Sequence, residues 1–384
     1  MVAAVRDGAS LRSVGRQFGV SPATVGLWLR RAASQTLERT DWSDRPSIPG
    51  RVSRTRTDIE DRILDVRRML REESVLGEYG PAAIRRELDG RADLPGPPPS
   101  VRTIARILER RGALDAKRRV RRPAPPAGWY LPDLRRRLVE LDSFDVISGL
   151  RLKGGLELDI LTGISLLGGL VAAWPTAGVT GGSTVGALEE HWRTVGLPGY
   201  AQFDNDTRFI GGNRYPNSIG LVIRYCLAVG VVPVFAPPLE MGFQASIEAF
   251  NGQWQRKLWA RAWDPTLEDL QVRSAAYVAA SRVRSAVRIE AAPERAPFPP
   301  GRSNDLGAPP AGRLVFLRRT SDVGSVSVLG QRYRVDPRWP HRLVRAELDL
   351  DARHLTFFAL RRREPDHQPV LGEVAFEPPA RWYR

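Results

Sequence analysis

Three acidic residues stand where two strands and one helix could bring them together. Asp142 and Asp204 each end a short apolar stretch that reads as a β-strand, and Glu248 lies on an amphipathic helix. That helix is predicted because apolar residues recur at steps of three, four and four, at Ile247, Phe250, Trp254 and Leu258. Carboxylates suit a hard divalent cation, and two such cations can hold the attacking and leaving oxygens in phosphoryl transfer.

Other acids compete for these roles. Asp145 and Asp159 are alternatives for the first aspartate, and Asp142 is preferred because it directly ends its apolar stretch. Asp206 adds a fourth acid, which the sequence Asn205-Asp206-Thr207 places in a turn that swings it outward. A helix carboxylate at the edge of a core also has a purely structural interpretation, a salt bridge or a solvated edge.

The order Asp142, Asp204-Asn205 and Glu248, with Asn251-Gly252 after it, resembles the Asp-Asp-Glu signature of bacterial insertion-sequence transposases and retroviral integrases. The resemblance implies Mg²⁺ or Mn²⁺, as two ions held by Asp142, Asp204 and Glu248. It also implies that Asn205 and Asn251 support the site as hydrogen-bonding groups. Two features depart from the family: Asp206 replaces a glycine, and Glu248 follows Asp204 at a spacing of 44 positions, longer than is common in integrases.

Composition favours a nucleic-acid partner. The 384 residues carry a net charge of +15, and residues 1–130 hold 26 Lys and Arg against 16 Asp and Glu. The single cysteine, Cys226, excludes an internal disulfide and favours a reducing compartment. The four histidines are scattered, so no zinc site is expected. No leader sequence or membrane span is expected, which favours a cytoplasmic, nucleoid-associated protein.

Residues 1–35 predict a helix-turn-helix unit that binds DNA, followed by a linker over 36–56. Ser21 is a good N-cap, and Pro22 a good first residue, for the second helix. This helix leaves outward the candidate DNA-binding residues Thr24, Arg30 and Arg31.

Residues 57–116 show the same kind of pattern, with Ser100 as the N-cap of a helix, and predict a second helix-turn-helix-like DNA-binding unit. A basic, proline-rich linker over 117–130 follows. Further candidate DNA-binding residues lie on the second unit, on this linker and on the Glu248 helix: Arg102, Arg106, Arg118, Arg119, Arg256 and Lys257.

Residues 131–283 predict an α/β core with a mixed sheet, because three strands are followed by alternating helices and strands. By resemblance this is the ribonuclease-H-like integrase core. Residues 284–312 read as a proline-rich linker, 313–363 as a small β-barrel and 364–384 as a poorly ordered tail. The barrel resembles the domain that follows the catalytic core in phage Mu transposase.

The chain is thus predicted to be a multidomain DNA transposase. It would bind double-stranded DNA at element terminal repeats and at target DNA, act as a homo-oligomer on DNA, and cleave and join strands. The alternative is a catalytically inactive DNA-binding regulator derived from such an enzyme. A stand-alone ribonuclease is disfavoured because two sequence-reading modules would be superfluous.

Overall fold

The computed structural model describes residues 1–33, 35–43, 55–91, 94, 96–113, 127–212, 216–240, 242–262, 265–300, 306–362 and 364–379. The chain forms two compact units, Met1–Arg56 and Thr57–Arg384.

The described residues of the first unit form three helices. Helices α1, α2 and α3 span Val2–Arg6, Leu11–Phe18 and Pro22–Ala32, and a 3-10 turn follows at Leu37–Arg39. Ser21 begins α3, since its hydroxyl oxygen accepts the Thr24 N–H at 3.1 Å. Gly19 ends α2 with φ 64°, a backbone conformation that favours glycine. The local capping signals therefore set the turn between these two helices.

Helix α2 buries only the central one of its three large apolar side chains. Val14 is buried, but Leu11 and Phe18 are 37% and 50% exposed. Helix α1 has only five residues and cannot cover both ends of α2.

The second unit begins with three helices that share a small core. Helices α4, α5 and α6 span Thr57–Glu73, Pro81–Asp89 and Val101–Arg110. Their facing apolar side chains are buried together: Ile59, Ile63, Val66, Ile84, Leu88, Ile104, Ile107 and Leu108. Glu60 forms ion pairs with Arg110 and Arg111, and these hold the C-terminal end of α6 against α4.

The rest of the second unit is an α/β domain. Its strands are β1 Leu141–Arg151, β2 Glu157–Ser165, β3 Val171–Thr176, β4 Tyr200–Phe203, β5 Val232–Phe235, β6 Arg313–Arg319, β7 Ser325–Val328, β8 Gln331–Arg334, β9 Leu343–Asp349, β10 His354–Ala359 and β11 Val370–Ala375. Its helices are α7 Pro132–Arg135, α8 Gly181–Val195, α9 Thr207–Ile210, α10 Leu221–Ala228, α11 Ala245–Lys257, α12 Leu267–Arg284 and α13 Ala286–Glu290, with a 3-10 turn at Trp259–Arg261.

Nine strands form one mixed sheet in the order β11-β10-β9-β6-β5-β4-β1-β2-β3. Strands β1, β2 and β3 are antiparallel neighbours, whereas β4 runs parallel to β1 and β5 parallel to β4. Alternate residues of β1 face opposite sides: Phe144 packs with Trp192 of α8, and Ile147 lies in the core that contains α11 and α12. The predicted mixed α/β architecture is confirmed.

Strand β1 begins close to Asp142, the residue at which the apolar stretch predicts a strand to end. It runs from Leu141 to Arg151, so Asp142 is its second residue. Leu138, four residues before Asp142, is 62% exposed, and Arg137 adopts a positive φ of 58° that interrupts extended backbone. The strand therefore follows the predicted position along the chain instead of preceding Asp142.

The C-terminal strands continue the core sheet, which corrects the prediction of a separate small barrel over 313–363. Strand β6 pairs in parallel with β5, and β9 and β10 extend the sheet beyond it. Strands β11 and β3 lie at the two edges, so within the described residues this sheet is open. Strand spacing along the sequence reveals that strands exist but not which neighbours they take.

Two further segments are more ordered than predicted. The range 284–312, taken as a linker, includes α13 and supplies Arg295, which contacts the core. The tail after residue 363 supplies β11, which pairs with β10. Side-chain contacts distant in sequence hold both segments, and proline-rich composition gives no sign of them.

Helix α12 is the longest helix in the described part of the chain, with 18 residues, and it carries charged residues at both ends. None of the helices described here combines the length and the hydropathy that crossing a bilayer requires.

Candidate active site

The parallel pairing of β1 and β4 brings two aspartates to the same level of the sheet. Ser143 pairs with Gln202, so two residues further along Asp145 lies beside Asp204, which directly follows β4. Side chains alternate between the two faces along a strand. Asp145 is two residues from Ser143 and Asp204 is two residues from Gln202, so both side chains lie on the same face of the sheet. The parallel pairing therefore places Asp145, within β1, next to Asp204, which follows the carboxyl end of β4.

Helix α11 is tied to the same point. The Asn251 side-chain amide donates to Asp145 Oδ2 at 2.7 Å, and Asn251 Oδ1 accepts the Thr162 hydroxyl at 2.7 Å. Thr162 is the β2 residue opposite Asp145. Glu248 lies three residues before Asn251 on this helix, on the same side. Asn251 therefore fixes how α11 presents Glu248 toward the aspartates.

Charge repulsion marks these acids as one group. Burial, together with the charges of Asp204 and Glu248, raises the pKa of Asp145 to about 6, against the lowering effect of a backbone hydrogen bond and of Arg208. Burial also raises the pKa of Asp204, with a contribution from the charge of Asp206. A cation placed among these carboxylates would offset both the cost of desolvating their charges and their mutual repulsion.

Asp142, the predicted first aspartate, lies on the other face of the sheet and is not brought together with Asp204. It is 1% exposed, and its carboxylate accepts two hydrogen bonds from the Arg295 guanidinium, at 2.5 and 3.0 Å, and one from Trp192 Nε1 at 3.0 Å. Asp142 and Asp145 are three residues apart on one strand, so they face opposite sides of the sheet. Asp142 forms a buried ion pair on the α8 side, and Asp145, the alternative, lies beside Asp204.

Asp159 and Asp206 share one arginine. Arg208 donates to Asp159 Oδ2 at 3.3 Å and to both oxygens of Asp206 at 3.0 and 2.6 Å. Asp206 also begins α9, since its carboxylate accepts the Arg208 N–H. The hydrogen bond from Arg208 lowers the pKa of Asp206 below its ordinary value. Both acids thus have a cationic partner.

If this site cleaves DNA strands as the sequence predicts, Asp206→Gly should keep most of that activity and should lower stability by only about 0.3 kcal/mol, since glycine is itself tolerated at a helix N-cap. Asp204→Asn is expected to lose activity. Cleavage rates and melting temperatures of the two variants decide between them. An inactive Asp206→Gly beside an active Asp204→Asn would reverse the assignment of the second acid.

Asn205 is held from two sides. Its side-chain amide donates to the Ala236 carbonyl at 2.7 Å, and its Oδ1 accepts from Arg318 at 2.8 Å. These contacts fix the backbone next to Asp204. The sequence gives no signal for the contact with Arg318, because nothing in a β-type stretch near residue 318 indicates proximity to residue 205.

A cleft of about 430 Å³ opens beside these residues. It is lined by acidic and amide side chains and by the loop that precedes α11: Asp204, Asn205, Asp206, Ala236, Pro237, Pro238, Leu239, Glu240, Gln244 and Glu248. The donor chemistry suits a hard cation. Within the described ranges, however, no three His, Cys, Asp or Glu side chains converge closely enough to hold a metal ion. The carboxylates are therefore neighbours and not a finished ligand set.

The candidate DNA-binding residues divide by exposure. Arg30, Arg102, Arg106 and Arg256 are exposed, and Thr24, Arg31 and Lys257 are half-buried. Arg31 lies over the Trp28 ring, 4.9 Å from its centre, and Lys257 donates to the Gly77 carbonyl at 2.6 Å. Arg118 and Arg119 lie outside the described residues. Arg31 and Lys257 thus have structural contacts that their sequence positions do not indicate.

Comparison with known proteins finds solved structures only. No protein-family model matches the chain, and no curated protein matches it. Among solved structures, it is similar to the catalytic core domain of HTLV-2 integrase in complex with magnesium, at 13% identity and TM-score 0.28 over 40% of this chain and 85% of that one. It is similar to the catalytic core of BIV integrase at 14% identity and TM-score 0.28, over 36% and 81% of the two chains. The simian T-cell lymphotropic virus intasome in complex with PP2A regulatory subunit B56 gamma gives 14% identity and TM-score 0.34, over 72% and 88%. At these identities and TM-scores the similarities assign the chain to no family.

Proposed function

We propose that this chain is a DNA transposase of the Asp-Asp-Glu type, a polynucleotidyl transferase that cleaves and joins DNA strands. The observation that supports this most is the group formed by Asp145, Asp204 and Glu248. Burial and the charges of its two neighbours raise the pKa of Asp145. Acids serving only the fold would more often be paired with cations, as Asp142 is with Arg295.

Asp145, Asp204 and Glu248 are the proposed ligands of Mg²⁺ or Mn²⁺. Bound there, two such ions would neutralise charge that develops on the attacking and leaving oxygens of a phosphodiester. Glu248 is exposed on α11 and lines the same cleft as Asp204.

The chain's own groups position and shield this chemistry. Asn251 holds the Asp145 carboxylate and α11 in one arrangement through its two hydrogen bonds. Asn205 and Ala236 hold the backbone next to Asp204. Attack by water or by a DNA 3′-hydroxyl forms one P–O bond as another breaks in line, with no covalent enzyme intermediate.

The helical segments would supply DNA binding. In the first unit Arg30 lies exposed on α3, and in the second Arg102 and Arg106 lie exposed on α6. Guanidinium groups near phosphates release counterions, which gives affinity that falls steeply with salt. The proposed partners are double-stranded element ends and target DNA, bound by a homo-oligomer.

Arg30→Ala in the full-length chain is expected to weaken binding to an element-end duplex and to reduce the slope of log affinity against log salt by about one. Titration at several salt concentrations measures both quantities. Arg39→Ala, an exposed arginine on the 3-10 turn of the same unit, is the matched control and should change binding less. Equal effects of both substitutions would contradict a specific role for α3.

The decisive test uses duplexes made from inverted repeats in the DNA that flanks the gene. The full-length protein should cleave at the repeat ends in Mg²⁺ or Mn²⁺ and not in chelator. Binding without cleavage of any such duplex would favour a second candidate, an inactive DNA-binding regulator. The absence of a converged three-residue ligand group from the described residues is the observation on its side.

A further inference from the structure

Arg318 is a buried arginine at the end of β6. Its side chain is 7% exposed, and burial lowers its pKa to about 10. Within the described residues no carboxylate lies within ion-pair distance of it. Burying a cation without a counter-charge is unfavourable, so its hydrogen bonds must offset the lost hydration.

Two of those hydrogen bonds reach the segments that follow β4 and β5. The guanidinium donates to Asn205 Oδ1 at 2.8 Å and to the Ala236 carbonyl at 3.4 Å, and its other hydrogen bonds go to the Leu317 carbonyl at 2.8 Å and to the Ser327 carbonyl of β7 at 3.0 Å. The pairings of β4 with β5 and of β5 with β6 place these three strands side by side in the sheet. One side chain thus joins the residue after Asp204 to the residue after β5.

The two joined segments lead to different parts of the candidate active site. Asn205 follows Asp204 directly, and Ala236 begins the loop that runs into α11 and Glu248. Asn205 itself donates to the Ala236 carbonyl at 2.7 Å, so its amide bridges Arg318 and the loop in a single orientation. The arrangement is a closed triangle of hydrogen bonds at the base of the cleft.

We propose that Arg318 is a positioning residue for the acidic site. It acts through Asn205 to hold Asp204 at a fixed place relative to the loop that leads into α11, the helix that carries Glu248. This inference rests on the proposed function, since it assigns a task within the same site. It gives the C-terminal strands a role in cleavage beyond completing the sheet. Their pairing with β5 brings Arg318 to the cleft.

Three variants of the full-length chain test the inference: Arg318→Met, Arg318→Lys and Asn205→Ala. Arg318→Met should lower the rate of Mn²⁺-dependent cleavage by about 10- to 100-fold, the usual range for groups that orient metal ligands. Arg318→Lys should recover part of that loss. The double variant Arg318→Met with Asn205→Ala should be no slower than the slower single variant, because both remove the same contact.

Arg345→Met is the matched control for loss of a buried arginine from the same sheet. Arg345 lies on β9, is 5% exposed, and contacts Glu347, Gln368 and the Tyr130 carbonyl, none of which lines the cleft. Cleavage is measured well below each melting temperature. If Arg318→Met and Arg345→Met lose cleavage in equal proportion to their loss of stability, Arg318 is only structural and the inference fails.

A binding measurement separates this inference from the proposed function. Mn²⁺ should raise the melting temperature of the wild-type chain and of Arg345→Met, and raise that of Arg318→Met much less. Wild-type protein that shows the Mn²⁺ shift but never cleaves would refute the proposed reaction, and the shift in Arg318→Met would still decide the positioning role. Wild-type protein with neither shift nor cleavage would refute both.

Discussion

Asp145→Asn is expected to abolish metal-dependent strand cleavage while raising the melting temperature of the metal-free chain. The lost cleavage follows from removing a charged ligand from a group that acts together, for which losses of about 1,000-fold or more are usual. The gain in stability follows from removing a partly buried negative charge that lies beside two others.

The direction of the pH effect follows from the pKa of Asp145, which lies at about 6 in the folded chain instead of 3.8. A raised carboxyl pKa contributes stability that is full below the unfolded pKa and is lost as pH rises through the folded one. Well above pH 6 the ionised group therefore destabilises the fold, by about 3 kcal/mol for a shift of this size. The stabilisation by Asp145→Asn should be largest above pH 7 and vanish near pH 4.

Asp204→Asn and Glu248→Gln complete this test. Both should lose cleavage in Mg²⁺ and Mn²⁺, while duplex binding persists because other residues carry it. Melting temperature, duplex binding and cleavage are measured on all three variants. Cleavage that survives Asp145→Asn or Glu248→Gln would refute the acidic group as the catalytic site. A lower melting temperature for Asp145→Asn at pH 7.5 would refute the electrostatic argument alone.

The sequence predicted local elements well because their signals are local. The spacing of Ile247, Phe250, Trp254 and Leu258 predicted α11, and all four side chains are buried. The caps Ser21 and Ser100 begin α3 and α6 as their positions indicated. Periodicity and capping depend on neighbours within a few residues, which the sequence displays directly.

The choice between Asp142 and Asp145 depends on information that the sequence does not display. An apolar stretch that ends in an aspartate does not show whether the strand ends or begins there. The apolar pattern continues through Phe144, Val146 and Ile147, and both Asp142 and Asp145 lie inside β1. Because residues three apart on a strand face opposite sides of the sheet, only the position of β1 in the fold shows which of them lies beside Asp204.

Long-range partners were beyond the reach of sequence patterns. Arg295 lies in a stretch whose composition indicates a linker, and Arg318 lies in a strand expected to belong to a separate barrel. Arg318 reaches Asn205 only because the sheet continues from β5 to β6. Arg295 reaches Asp142 only because the chain after α13 returns to α8. Strand order is a property of the whole fold, so neither role could be assigned before the topology was known.

The ion pair between Asp142 and Arg295 should prove essential for stability and dispensable for cleavage. Both groups are buried, and removing one partner leaves the other charge uncompensated. Arg295→Met is therefore expected to lower the free energy of unfolding by about 3–5 kcal/mol, and Asp142→Asn to lower it substantially although it can still accept from Trp192. The double variant should be less destabilised than the two losses combined, because it leaves no unpaired charge.

Chemical denaturation measures these differences, and cleavage assayed below the melting temperature of each variant should stay within a few-fold of wild type. An Asp142→Asn protein of unchanged stability that no longer cleaves DNA would return Asp142 to the catalytic site in place of Asp145.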